Sequence, residues 1–195
     1  MRKAISVTAL FGLSLAVRLA FAEDAGNWEK ITDLSPDKKF GVRITCESEP
    51  EDRAKIDPGS VAAVDLVLLP SKRRVMELSR SYNGAPARIF WAQDSKWFAL
   101  SVPEGPRVTD TEVYHRGGDE FEKLDTEGMT VDTGGDVRNQ YIEPVRWLKP
   151  GTLVLTQLTI FRGDKGDSTI QFNVRFEQDG RFFMSNKKKV PNKKD

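Results

Sequence analysis

The chain has 195 residues, with 30 Lys and Arg against 29 Asp and Glu, one His and one Cys. That length suits a single domain with a sizeable core. A lone cysteine excludes an intrachain disulfide and a multi-cysteine zinc site, and the balanced charge excludes the strongly basic profile of a nucleic-acid binder.

The N-terminus reads as a secretory leader. Arg2 and Lys3 precede an apolar run over residues 4–17, and Ala20-Phe21-Ala22 supplies the small-x-small pattern of a signal-peptidase site. The run is shorter than the ~20 apolar residues of a membrane span, and Arg18 interrupts it. Cleavage after Ala22 leaves Glu23 and no cysteine to be lipidated, so an exported protein, periplasmic or extracellular, is expected. No later segment is long and apolar enough for stable membrane insertion. Without the leader the chain carries 27 basic against 29 acidic residues. Cys46 falls in an apolar-alternating run, where free cysteine packs as a small hydrophobe.

A stretch of about fifty residues recurs three times, at roughly 28–80, 87–125 and 143–186. The copies open with Ser35-Pro36-Asp37-Lys38-Lys39-Phe40, Trp91-Ala92-Gln93-Asp94-Ser95-Lys96-Trp97 and Trp147-Leu148-Lys149-Pro150-Gly151. Trp91 and Trp147 stand 56 residues apart, and Asp37 and Asp94 stand 57 apart. Each copy predicts a turn, an apolar strand, a polar loop and a closing hairpin. The first strands are predicted over residues 40–46, 97–102 and 153–161. The hairpins cover 61–78, 111–124 and 168–185, the second turning at Gly117-Gly118 and the third near Asp179-Gly180, dipeptides that favour tight turns. Ile170, Phe172, Val174 and Phe176 alternate with Gln171, Asn173 and Arg175, as on a half-buried strand. Residues 125–143 form a Gly-, Thr- and Asp-rich spacer, either a mobile loop or an extra edge hairpin. The domain is therefore expected to be all-β over residues 23–186, built of antiparallel blade-like sheets, with a β-sandwich as the alternative. Residues 187–195 read as a basic, disordered tail. The alternative for Lys187, Lys188, Lys189, Lys193 and Lys194 is contact with an anionic surface.

These openings resemble the TolB-like β-propeller repeat, in which an aromatic residue or Ser precedes Pro-Asp-Gly-Lys and an apolar strand. Lys38 stands where that pattern has Gly, the second copy lacks the Pro, and the third lacks the Asp. The resemblance implies four-stranded antiparallel blades around an axis and a role in binding. Three blades are fewer than the roughly 4–8 of a closed propeller. The expectation is a monomer whose blades curl on one another; the alternative is a homodimer of six blades.

Catalytic signals are sparse. His115 lies in a predicted strand with no nucleophile elbow in the sequence. Glu47, Glu49, Glu51 and Asp52 cluster as carboxylates of a hydrolase would, but beside Pro50 they read as a solvated loop. Asp132 and Asp136, and Asp164 and Asp167, flank glycines as calcium loops do, without the spacing of a twelve-residue calcium loop. No catalytic residue, metal or cofactor is assigned. The adjacent pairs Phe90-Trp91 and Trp97-Phe98 point to opposite strand faces. Both are buried if blades stack face to face; otherwise Trp91, Trp97, Phe98 and Trp147 mark a partner surface. The function expected is a non-catalytic interaction module for a protein or envelope partner. The alternatives are a carboxylate-based hydrolase and a binder of anionic polymer or membrane surface.

Overall fold

The computed structural model describes residues 27–163, 166–177 and 179–191. The expected leader, Asp164, Lys165, Lys193 and Lys194 lie outside the described residues. The chain is all-β, with twelve strands and one short 3-10 turn, Pro58–Ser60, among the described residues.

The strands form three antiparallel meanders in sequence order. The first is β1 (Trp28–Thr32), β2 (Phe40–Cys46), β3 (Val61–Leu68) and β4 (Arg73–Glu77). The second is β5 (Arg88–Trp91), β6 (Trp97–Gly105), β7 (Val108–Gly117) and β8 (Glu120–Lys123). The third is β9 (Val137–Lys149), β10 (Thr152–Phe161), β11 (Asp167–Phe176) and β12 (Phe182–Val190). The strand that completes each unit precedes the repeat turn, a position the apolar patterning left unassigned.

Two boundaries differ from expectation. The second and third units are not separate sheets. A parallel step, Val108 opposite Gln140 and Thr109 opposite Tyr141, joins them into one sheet of eight strands. The third unit also begins earlier, because the end of the spacer is strand from Val137. No closed propeller forms; both sheets are open.

Alternation along β6 explains the layering. Phe98, Leu100 and Val102 join Phe40, Val42, Ile44 and Leu66 in a core between units one and two. Trp97 and Ala99 point the other way, into a core with Leu153, Leu155, Phe172 and Val174 of unit three. Unit two is thus the middle layer and buries both faces, which accounts for its run of six consecutive buried residues over residues 97–102. Cys46 is buried in the first core. The spacer is pinned. Val131 donates its N–H to Gln157 Oε1 at 2.7 Å and accepts from Nε2 at 2.8 Å, and Met129 packs into the second core.

The three repeat turns share a conformation. Lys38, Ser95 and Gly151 all lie in the left-handed region, at φ 59°, 57° and 70°. Gly151 is also constrained by space, since a Cβ there would lie 3.3 Å from the Phe176 carbonyl oxygen.

Candidate functional site

The aromatic residues of the repeat openings hold the layers together. Trp97 and Phe98 are buried in opposite cores, so the partner surface considered for them does not form; face-to-face packing consumes both. Trp91 and Trp147 are half-buried and act as equivalent latches. The Trp91 indole N–H donates to the Asp33 carbonyl of unit one at 2.9 Å. The Trp147 indole N–H donates to the Phe90 carbonyl of unit two at 2.9 Å. Each acceptor precedes the equivalent position in the preceding unit. In unit one that position is Leu34, which is exposed and has no side-chain N–H to donate. Among the described residues the latching tryptophan occurs in the two units that follow another.

The repeat turns gather at one end of the stack. Asp37 N–H donates to Ser95 Oγ at 2.9 Å, and Arg116 lies 3.7 Å from Asp37 Oδ2 and 4.6 Å over the Phe40 ring. Burial raises the Asp37 pKa, but bonds from Ser35, the Lys39 N–H and Ser95, with the Arg116 charge, outweigh it and hold the carboxyl below its ordinary value. Between units two and three a groove of about 670 Å³ is lined by Asp94, Lys96, Trp97, His115 and Pro150, among others. His115 stacks on Trp97 with ring centroids 4.1 Å apart. Burial lowers its pKa; Asp94 and Glu122 oppose the shift and Lys96 adds to it. The imidazole is neutral at neutral pH, and none of the described lining residues is Ser, Thr or Cys, so they offer it no hydroxyl or thiol to activate.

The acidic motifs resolve into local structure. Glu49 pairs with Arg53, and Asp52 Oδ1 accepts from the Ala54 N–H at 2.8 Å. Asp132 Oδ1 accepts from the Gly134 N–H at 2.8 Å, and Asp136 lies 3.7 Å from Arg162. Among the described residues no three His, Cys, Asp or Glu side chains come together as a metal site would need. One group escaped sequence reasoning. Glu112 is half-buried and accepts from Lys123 Nζ at 2.5 Å and from the Tyr114 hydroxyl at 2.8 Å. Burial raises its pKa, but Lys123, Ser79 and Tyr114 outweigh that and hold it ionised at neutral pH. Burial and the Glu112 charge push the Tyr114 phenol up, so it stays protonated. The available signal was the i, i+2 spacing of Glu112 and Tyr114 on β7, with Lys123 opposite Tyr114 on β8.

The two outer faces of the stack differ. On unit one, Arg43 bridges Glu29 at 3.6 Å and Asp65 at 2.8 Å. Arg74 bridges Asp65 at 3.0 Å and Glu77 at 2.9 Å, and Lys72 reaches Glu29 at 3.5 Å. On unit three, Lys187, Lys188 and Lys189 lie within β12 and are not part of a disordered tail: β11 supplies partners as far as Val190. Strand β12 ends the eight-stranded sheet, and lysines on such an edge discourage another sheet from pairing with it. Among the described residues no helix is long and apolar enough to cross a membrane. No family model, curated protein sequence or solved structure matches the chain.

Proposed function

We propose that the chain is an exported, non-catalytic binding module made of three propeller-like blades of the TolB-like kind, stacked open and engaging a protein or envelope partner. The observation that carries this reading is the local engagement of the groups the sequence offered for catalysis. Glu49 pairs with Arg53, Asp52 closes a turn, and His115 stacks on Trp97. Face-to-face meanders with equivalent tryptophan latches support the blade description. The open faces and edges of the stack are then what a partner meets. The test is a hydrolase survey of the purified protein beside the variant His115→Ala, Glu47→Gln, Glu49→Gln, Asp52→Asn. No turnover in either protein is expected. Turnover in the wild type that the variant loses would establish the carboxylate-based hydrolase instead.

A further inference from the structure

The third unit differs in charge from the rest of the molecule. Residues 27–136 hold 15 basic and 21 acidic residues, whereas residues 137–191 hold 10 basic and 5 acidic. The strand registers place four of these basic residues, Arg146, Lys149, Arg175 and Lys188, on one face. Phe172, Val174, Phe176, Trp147, Phe182 and Met184 point inward to the second core. The alternate positions Arg175 and Phe183 pair across β11 and β12, Gln171 pairs with Lys188, and Thr152 pairs with both Arg175 and Lys149. Arg146 and Leu148 flank the inward Trp147 and so share this outer face. Leu148 and Phe183 are each 49% exposed, and the Arg175 guanidinium stands 5.2 Å from the Phe183 ring centre. Arg175 lies 3.0 Å from Glu177; among the described residues Arg146, Lys149 and Lys188 have no ion-pair partner. Glu143 and Asp167 lie on the same face, towards its other end.

Resting on the binding-module reading, we propose that this face docks on the headgroup layer of an anionic phospholipid bilayer. Charge complementarity selects the partner: unpaired cations meet the phosphates, and the acidic first and second units turn the molecule so that unit three leads. The exposed Leu148 and Phe183 select a bilayer over a dissolved polyanion. A bilayer interface takes up both apolar side chains among its headgroups, whereas a soluble polymer rewards the cations alone.

Flotation of the purified full-length protein with vesicles tests this, using equal parts phosphatidylglycerol and phosphatidylcholine against phosphatidylcholine alone. Binding to the anionic vesicles only, weakened by salt, is expected. Each surface cation is worth a factor of about five, so Arg146→Gln, Lys149→Gln, Lys188→Gln together lower the affinity about a hundredfold. Phe183→Ser lowers vesicle affinity about tenfold and leaves binding to dextran sulfate unchanged. Lys72→Gln, Arg73→Gln on the unit-one side leaves vesicle affinity unchanged. All these side chains are exposed, and near-ultraviolet circular dichroism confirms that each variant keeps its fold. Equal or absent binding to both vesicle types overturns the proposal, as does an unaffected triple variant or a loss from the unit-one substitutions. Vesicle binding insensitive to Phe183→Ser, with dextran sulfate bound as tightly, assigns the face to a soluble polyanion. Turnover is a separate readout, so failure of the binding-module reading and failure of this face are told apart.

Discussion

The outer faces of units one and three occupy corresponding places at opposite ends of one stack, yet they treat charge differently. On unit one every strand contributes to a ladder of ion pairs running Glu29, Arg43, Asp65, Arg74, Glu77. On unit three Arg146, Lys149 and Lys188 stand beside exposed Leu148 and Phe183. End units of repeat stacks need a polar outer face, and both ends meet that need. Only one end does so with a ladder of ion pairs that crosses its whole sheet. The ladder makes unit one a finished surface, while the unpaired cations make unit three a surface that still attracts.

The contrast breaks most sharply at Asp65. Its side chain is 4% exposed and lies between Arg43 and Arg74. Asp65→Ala leaves two guanidinium groups facing each other without their carboxylate and is expected to cost about 3 kcal/mol. Arg175→Ala on the unit-three face removes an exposed side chain whose one acidic partner among the described residues is Glu177, and is expected to cost under about 1 kcal/mol. Urea unfolding of both variants measures the difference. Equal losses would show that the two faces are not distinguished in this way.

The latches sharpen the same comparison between a unit that follows another and one that does not. Trp147→Phe keeps most of the ring and removes the N–H donated to Phe90, at an expected cost of about 1 kcal/mol. Leu34→Trp places the ring where the described residues include no preceding unit to offer a carbonyl, and should gain no comparable stability. A Leu34→Trp variant that becomes dimeric by light scattering would instead reveal a second chain supplying the carbonyl, and with it the six-blade ring.

Much of this plan was legible because the repeat rests on short-range chemistry. The left-handed turns at Lys38, Ser95 and Gly151 recur at near-constant spacing, and the strand after each carries consecutive or alternating apolar residues. The adjacent aromatics Trp97 and Phe98 are legible as a layer buried on both sides. What was not legible depends on pairing at a distance. Of the strands before the turns, Trp28–Thr32 with its Glu29 and Lys30 carries too few apolar residues to show a period, and Arg88–Trp91 is too short to show one. The parallel step from Val108 to Gln140 follows from docking, not from local sequence. Lys187, Lys188 and Lys189 look like a solvated tail because an edge strand is half solvent-facing and tolerates charge. The unit-three face was visible only as a run of lysines, since Arg146, Lys149 and Arg175 join it through register.

The turns offer a smaller test of equivalence. Lys38 holds a left-handed φ of 59° on an exposed turn where Gly151 holds 70° in unit three. Lys38→Gly relieves a left-handed residue worth about 1–2 kcal/mol, offset by roughly 0.5–1 kcal/mol of added freedom in the unfolded chain, for a net gain of about 0–1.5 kcal/mol. Gly151→Ala should destabilise, because its Cβ meets the Phe176 carbonyl as well as the unfavourable φ. Thermal unfolding of the pair gives the two signs directly. A gain in both would mean that the turns are not held alike.

Acid separates the two inter-unit grooves, with the smallest effects of the series. His115, between units two and three, has a folded pKa below its ordinary 6.5, mainly through burial against Trp97. The unfolded chain then binds that proton more readily, so stability falls as pH drops below 6.5 and levels off beneath the folded value. Asp37, between units one and two, has a folded pKa below 3.8, because its hydrogen bonds and Arg116 outweigh the opposing effect of burial. Its contribution is complete above 3.8 and is lost as pH falls through the folded value. The two windows do not coincide: acidification loosens the His115 groove first and the Asp37 groove second. His115→Gln should flatten the first decline and leave the second, and Asp37→Asn should leave the first and lessen the second, to which Glu112 also contributes. Urea midpoints collected across both windows read this out. A single decline removed equally by either substitution would mean that the two grooves respond to acid as one unit, and that the middle layer does not insulate one interface from the other.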